Sequence, residues 1–175
     1  MLNVKDLELF SRFMVALAAR TSRLLNNAQI ANELGVDSTT ISSWVSVLEA
    51  SGIIILLQPF SNNYLSRTIK TPMVYFMDTG LVSYLLKWLT PETLMNGAMS
   101  GHILETFVVS EVVKSFNNKG VLNIPINFYR DRDMKEIDLV IEDSGYLYPV
   151  EIKKKFKCSK KCCKTFVTFR QSCRI

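Results

Sequence analysis

The chain has 175 residues, 48% of them apolar and 21% charged, so it can bury one medium core or two small ones and is not disordered. It lacks a run of about 18 apolar residues and a signal-peptide layout, which predicts a cytoplasmic protein without a membrane span. Residues 156–175 hold six basic and no acidic side chains, whereas the preceding residues sum to a net charge of −1. The total charge of +5 therefore does not by itself indicate nucleic-acid binding.

The first half of the chain has the pattern of three helices followed by two strands. Apolar residues recur at helical spacing, Gly35 supplies a stop after the second helix, and Asp37 or Ser38 can cap the third. This order predicts a winged helix-turn-helix domain over residues 1–90. The predicted helices cover residues 4–20, 26–34 and 38–50, and the predicted strands cover residues 53–57 and 73–77.

The third predicted helix is the element with which a winged helix would contact DNA. It contains no Lys or Arg, although these residues supply most of the affinity for phosphate in such domains. DNA binding and docking of a protein partner are therefore equally open as functions of this domain. Trp44, on the same helix, is expected in the core. The candidates for nucleic-acid contacts are Ser38, Thr39, Ser42, Arg67 and Lys70.

The second half of the chain predicts a small α/β domain over residues 97–155. A short helix over residues 81–88 and a polar joint around Thr90, Pro91 and Asn96 precede it. Residues 156–175 form a divergent basic tail, whose four cysteines lack the spacing of a zinc site. The predicted elements are a helix over residues 97–116, with Ile103, Leu104, Phe107, Val108, Val112 and Phe116 on its buried face, and strands over residues 126–130, 136–141 and 147–153.

Ser144 and Gly145 fit a two-residue hairpin loop between the last two strands. The resulting register places Asp138 opposite Glu151 and Glu136 opposite Lys153. Strand alternation predicts one charged face with these four residues and one apolar face. Directly opposed carboxylates about 5 Å apart would suit a shared Mg²⁺ or Mn²⁺. A solvated strand face is the alternative, and the pattern alone favours it. The predicted apolar face consists of Ile137, Leu139, Ile141, Tyr148, Val150 and Ile152.

Four charged residues resemble the motif of the PD-(D/E)XK nuclease superfamily. They are Glu105 in G-H-I-L-E-T-F-V, Asp138 in E-I-D-L-V-I-E, and Glu151 and Lys153 in Y-P-V-E-I-K. The resemblance implies a restriction-endonuclease-like fold with a central hairpin. It also implies that Glu105, Asp138 and Glu151 are ligands of Mg²⁺ or Mn²⁺ and that Lys153 is the catalytic lysine.

The chain up to Lys155 also resembles the C-terminal part of a prokaryotic AAA-type ATPase family. In that family a winged helix and a nuclease-like domain follow the ATPase. The matching segments include A-A-R-T at residues 18–21 and T-P-M-V-Y-F-M-D-T-G-L at residues 71–81. The chain has no G-x-x-x-x-G-K-[ST] loop, so it is not expected to be the ATPase itself. The likeness is expected to end after Lys155, as a reading-frame shift would produce.

These features predict an α+β, ATPase-associated protein that joins a winged helix to a nuclease-like domain. Its most concrete activity would be metal-dependent hydrolysis of DNA phosphodiester bonds. The alternatives are a catalytically silent interaction or oligomerisation module and a winged-helix DNA-binding regulator. The expected partners are DNA, a AAA-type ATPase or a second copy of the chain, with no membrane. His102, the single histidine, is expected to have a surface or capping role.

Overall fold

The computed structural model describes residues 7–60, 70–131 and 135–154. These ranges form a mixed α+β structure with six helices and two three-stranded antiparallel sheets. None of the helices in the described ranges is both long and apolar enough to span a membrane. The helices are α1 (Leu7–Ala18), α2 (Asn27–Leu34), α3 (Ser38–Ala50), α4 (Thr79–Leu85), α5 (Pro91–Asn96) and α6 (Ser100–Asn118). The strands are β1 (Arg23–Leu24), β2 (Ile54–Leu57), β3 (Met73–Phe76), β4 (Ile126–Arg130), β5 (Glu136–Asp143) and β6 (Tyr146–Val150), in the sheet orders β1-β3-β2 and β4-β5-β6.

Gly35 ends α2 as the sequence predicts, whereas Asp37, which precedes α3, makes no side-chain capping hydrogen bond. Asn26 caps α2 by accepting a 3.0 Å hydrogen bond from the backbone N–H of Gln29. Gly35 ends α2 at φ 69°, a conformation that strains residues with a side chain. Trp44 of α3 is only 7% exposed and meets the ring of Phe10 edge-on, with centroids 5.4 Å apart. The prediction that Trp44 is a core residue is confirmed.

Two short elements lie where the sequence predicts none. β1 forms after a tight turn at Ser22, which has φ 56°, and pairs with β3. α5 lies where a polar joint is predicted, because Thr90 and Thr93 cap the start of the helix reciprocally. Helix α4 begins earlier than predicted, since Asp78 accepts hydrogen bonds from the first N–H groups of the helix.

Strand β3 joins the two halves of the chain because both of its faces are buried. Val74 and Phe76 belong to the core that α1–α4 form with β2 and β3. Met73 and Tyr75 point into a second core that contains residues of α6, β4 and β5. The two sheets also meet at their edges, where the backbone N–H of Phe60 donates to the carbonyl oxygen of Phe128 over 2.6 Å. The two halves predicted as separate domains are therefore packed against each other.

The predicted register of the β5–β6 hairpin is confirmed over residues 139–143 and 146–150. Ser144 and Gly145 have φ values of 52° and 81°, as a two-residue hairpin loop requires. Strand β6 is shorter than predicted and ends at Val150.

The two cross-strand pairs expected beyond Val150 do not form. Residues 151–153 have left the sheet, so Glu151 does not pair with Asp138 and Lys153 does not pair with Glu136. Instead, Asp138 Oδ2 accepts a 2.6 Å hydrogen bond from the backbone N–H of Ile152. The side chain of Asp138 thus accepts a hydrogen bond from the chain just beyond the last backbone pair of β5 and β6.

A β-bulge in β5 changes the face on which each side chain lies. The pairing with β4 shifts by one residue between Asn127 and Tyr129, so Asp138 and Leu139 together oppose one residue of β4. Ile137 packs in a small third cluster, whereas Leu139 belongs to the core around α6. The predicted single apolar face that holds both Ile137 and Leu139 is wrong, because the bulge interrupts strict alternation.

The buried face of α6 also differs from the prediction. Phe107 is 50% exposed, whereas Thr106 and Ser110 are buried. The hydroxyl of Thr106 donates to the carbonyl oxygen of His102 over 2.7 Å and lies 2.8 Å from the hydroxyl of Thr21. Because these polar groups have partners, their burial is tolerated. The predicted position of Phe107 on the buried face is therefore wrong.

Candidate functional site

A cavity of about 500 Å³ lies where β1, the first turns of α6 and the start of β5 meet. Its lining contains three carboxylates, those of Glu105, Glu136 and Asp138, and two guanidinium groups, those of Arg23 and Arg130. The structure therefore brings together two of the four residues that carry the predicted nuclease motif. Both halves of the chain contribute to the cavity.

Glu105 is held on α6 by hydrogen bonds to both of its carboxylate oxygens. The phenol of Tyr75 donates to Oε1 over 2.5 Å, and the hydroxyl of Ser22 donates to Oε2 over 3.2 Å. Burial raises the pKa of Glu105 to about 7; the hydrogen bond from Tyr75 opposes this rise, and the charge of Asp138 adds to it. Burial and the neighbouring Glu105 raise the pKa of Tyr75, so its phenol remains protonated and acts as a donor.

The directions of the hydrogen bonds around His102 follow from the chemistry of Arg23. A guanidinium group only donates, so His102 Nε2, 3.3 Å from Arg23 Nη2, must be the acceptor. The proton of the ring is then on Nδ1, which donates to Ser22 Oγ over 2.7 Å. Because Ser22 donates in turn to Glu105, a directed chain of hydrogen bonds leads from Arg23 to the carboxylate. Burial and the charge of Arg23 lower the pKa of His102, which agrees with a neutral ring.

Asp138 and Glu136 bring two further partly buried acids to the cavity. Burial raises the pKa of Asp138 to about 6; the N–H of Ile152 opposes this rise, and the charge of Glu151 adds to it. Burial also raises the pKa of Glu136, and the nearby Arg130 opposes this. Desolvation and mutual repulsion thus both disfavour the charged forms of these carboxylates.

Glu151 and Lys153 lie at the end of the hairpin and form an ion pair with each other. The side chain of Glu151 is 15% exposed and that of Lys153 is 49% exposed. Glu151 acts electrostatically on both Asp138 and Glu136, so it belongs to the same acidic group although it is not among the residues that line the cavity.

The chemistry of the donors fits a hard divalent cation. Carboxylate oxygens are the ligands that Mg²⁺ and Mn²⁺ prefer, and a cation would relieve the repulsion between these acids. Within the described ranges, however, no three Asp, Glu, His or Cys side chains already stand in a metal-binding arrangement. A cation bound by Glu105, Asp138 and Glu151 together would therefore require their side chains to move closer to one another.

The nucleic-acid candidates on the first half of the chain lie away from this cavity lining. Ser38, Thr39 and Ser42 are exposed on α3, and Lys70 is exposed before β3. The hydroxyl of Ser42 donates to the carbonyl oxygen of Ser38 and accepts from the side chain of Asn27. Arg67 and the four cysteines lie outside the described residues.

Three residues that sequence reasoning missed complete the site: Ser22, Tyr75 and His102. His102 has two specific partners instead of the surface or capping role expected for it. Tyr75 carried a usable signal, because a tyrosine inside an apolar strand needs a partner for its hydroxyl when it is buried. Ser22 has no comparable signal, since its importance depends on a contact with a helix about 80 positions further along the chain.

The fold and the site define a mixed α+β protein with an acidic cavity between two sequence units. Residues 1–92 match a domain of unknown function (DUF8612), and residues 100–174 match another (DUF4143). Because the first match covers more than half of the chain, the protein belongs to the DUF8612 family. DUF4143 is typically seen in proteins associated with AAA ATPases. Its match runs past Lys155, where the sequence predicts a loss of likeness, and so gives no support to a reading-frame shift.

Two mycobacterial proteins are similar to most of the chain. They are the uncharacterized protein Rv2008c of Mycobacterium tuberculosis and the uncharacterized protein Mb2031c of Mycobacterium bovis. Each is 28% identical over 143 residues, which are 82% of this chain and 31% of the relative. The chain therefore spans about a third of the length of these relatives. No solved structure matches the chain significantly.

Proposed function

We propose that the chain is the winged-helix and nuclease-like part of an ATPase-associated protein, and that its cavity hydrolyses DNA phosphodiester bonds with Mg²⁺ or Mn²⁺. The observation that carries the proposal is the meeting of Glu105 and Asp138, from α6 and β5, in one cavity. Burial raises the pKa of both carboxyl groups, which means that their charged forms are destabilised in the folded chain. A bound cation would stabilise these charged forms.

The order of the elements supports both parts of the proposal. Three helices and a sheet of order β1-β3-β2 fit a winged helix, with α3 in the position of the DNA-contacting helix. In the second half, a helix with Glu105 precedes a strand with Asp138, and a hairpin then leads to Glu151 and Lys153. The order of these residues along the chain is the one that the resemblance to PD-(D/E)XK nucleases implies, although Glu151 and Lys153 lie just beyond the end of β6.

Each residue has a defined role in the proposed reaction. Glu105, Asp138 and Glu151 would hold the cation, which would supply a Lewis acid for the scissile phosphate and the attacking water. Tyr75 and Ser22 fix the oxygens of Glu105, as groups that donate to metal ligands commonly do.

Two further groups act near the hairpin. The N–H of Ile152 fixes one oxygen of Asp138. Lys153 lies beside Glu151 with its side chain about half exposed, where it can orient water or stabilise the charge that develops on the phosphate.

A Mn²⁺ titration by isothermal calorimetry tests the metal site. Asp138→Asn should weaken Mn²⁺ binding at least about tenfold, because it removes a charged ligand. Asp143→Asn is the matched control, since Asp143 is exposed on the same strand. A wild-type protein that binds no Mn²⁺, or an Asp138→Asn variant that binds it equally well, would rule out the proposed metal site.

DNA cleavage with Mg²⁺ or Mn²⁺ tests the reaction itself. Lys153→Ala should abolish cleavage while Mn²⁺ binding persists, because the lysine acts on water and phosphate and not on the metal. Retained cleavage in this variant would remove Lys153 from the mechanism. Metal binding without any DNA cleavage in the wild type would contradict the nuclease assignment.

A catalytically silent interaction module is the second candidate function. Its support is the exposure of large apolar side chains, among them Met95 on α5 and Phe107 on α6. Such side chains often mark surfaces that contact other proteins. A stable dimer in solution, together with the absence of Mn²⁺ binding, would favour this candidate over the nuclease.

A further inference from the structure

Arg23 is the one residue of β1 that combines a position in the cavity lining with an exposed side chain. Its backbone is fixed by the turn at Ser22 and by pairing with Val74 of β3. The guanidinium group therefore projects from a strand that is paired within a sheet and not from a loop. A charged group on a rigid element is suited to binding a ligand with little loss of conformational freedom.

No carboxylate in the described ranges neutralises the charge of Arg23. Across the described residues, no acidic side chain lies within 4.0 Å of Arg23, whereas Arg20 pairs with Glu33 and Arg130 lies 3.8 Å from Glu136. The partner of Arg23 is His102 Nε2, and this nitrogen can accept only if the ring is neutral. One N–H is used in this contact, which leaves other donors of the guanidinium group for a ligand.

We propose that Arg23 contacts a phosphate of the DNA backbone and holds the strand over the carboxylates of the cavity; this inference rests on the proposed nuclease function. A polyanion that approaches three carboxylates is repelled unless a fixed cation receives it, and guanidinium groups bind phosphate with paired hydrogen bonds. The DNA site is then shared between residues that match DUF8612, which supply Arg23, and residues that match DUF4143, which supply the acids. The winged-helix unit would thus take part in substrate binding within the active cavity itself.

Fluorescence anisotropy with a labelled DNA duplex tests this contact, with Ca²⁺ present as a hard, oxygen-binding cation. Arg23→Gln should weaken DNA binding about tenfold, the loss expected for one charge-assisted hydrogen-bonded contact. The slope of log affinity against log salt should fall by about one. Arg23→Lys should retain part of the affinity because it keeps the charge.

Arg12→Gln is the matched control, because Arg12 is exposed on α1 and is not part of the cavity lining. It should leave the DNA affinity unchanged. Circular dichroism and the unfolding midpoint of each variant establish that Arg23→Gln remains folded. If Arg23→Gln binds DNA as tightly as Arg12→Gln, or if the wild type does not bind the duplex, the inference is overturned.

Mn²⁺ calorimetry on the same variants separates this inference from the proposed metal site. Arg23→Gln should still bind Mn²⁺, with a change in affinity far smaller than that of Asp138→Asn, because Arg23 is not a metal ligand and reaches Glu105 only through His102 and Ser22. Weaker DNA binding by Arg23→Gln in a protein that binds no Mn²⁺ would leave the phosphate contact standing and contradict the metal site. Normal Mn²⁺ binding together with an unchanged DNA affinity of Arg23→Gln would contradict the phosphate contact and leave the metal site standing.

Discussion

Replacing Glu105 with glutamine should make the protein more stable at alkaline pH. The pKa of Glu105 rises from 4.5 to about 7 in the folded chain, so the folded state keeps a proton that the unfolded state loses between these pH values. Stability therefore falls as pH rises through this window, by up to about 3 kcal/mol from this carboxyl group. Glutamine does not ionise, so the Glu105→Gln variant should lack this decline.

The expected gain at pH 8 is about 1–3 kcal/mol after allowance for partial solvent exposure of the site and for weaker hydrogen bonds from Tyr75 and Ser22. At pH 4 the two proteins should differ little, because Glu105 is protonated in both the folded and the unfolded state. The change should therefore appear as a difference in the slope of stability against pH.

Urea unfolding followed by tryptophan fluorescence, in the presence of a chelator and at several pH values from 4 to about 8, measures this difference. Glu111→Gln is the matched control, because Glu111 is exposed on the same helix. A free-energy difference between Glu105→Gln and wild type that stays constant with pH would refute the reasoning, as would a wild type that gains stability relative to the variant above pH 6.

Two further predictions concern packing and are measured by the same urea unfolding. Gly97→Ala should cost about 1–3 kcal/mol, because a Cβ there would lie 2.4 Å from the ring of Trp88. Gly101→Ala, which has open space around the new Cβ, should be neutral or stabilising; equal losses would contradict the clash. Phe13→Ala should cost about 3–5 kcal/mol, because Phe13 is fully buried in the first core. The neighbouring exposed Arg12→Ala should change stability by less than about 0.5 kcal/mol, and a small loss for Phe13→Ala would argue against this core.

The elements that the sequence predicts well are those whose signals are local. Asn26 and Gly35 set the ends of α2, and each acts through bonds and dihedral angles within a few residues. Ser144 and Gly145 fix the hairpin register for the same reason, since the loop length alone determines which residues oppose each other. The end of β6 at Val150 has no such local signal, and there the predicted pairing fails.

The side of the sheet on which each β5 side chain lies depends on contacts that no local sequence pattern contains. The bulge opposite β4 reverses alternation between Ile137 and Leu139, and it depends on pairing with a strand that the predicted alternation did not take into account. The same holds for the hydrogen bonds to Glu105, whose donors Ser22 and Tyr75 are 83 and 30 positions away. The resemblance to a nuclease motif identified Glu105 and Asp138, but only the three-dimensional contacts show what holds them.

The bulge also explains why Asp138 can lie near the acids of the cavity although Leu139 is buried in the core beside it. In a regular strand these neighbours would point to opposite faces, and a carboxylate next to α6 would exclude the leucine from the core. Because Asp138 and Leu139 together oppose one residue of β4, both side chains can lie on the side of the sheet that faces α6. In the described part of the chain, Asp138 is hydrogen-bonded to a peptide N–H and Glu105 to hydroxyl groups, so neither acid has a basic side chain as its hydrogen-bonding partner. A hydrogen-bonded ion pair with a basic side chain therefore does not account for these carboxylates, and the proposed cation site would account for both their burial and the bulge that brings Asp138 to the cavity.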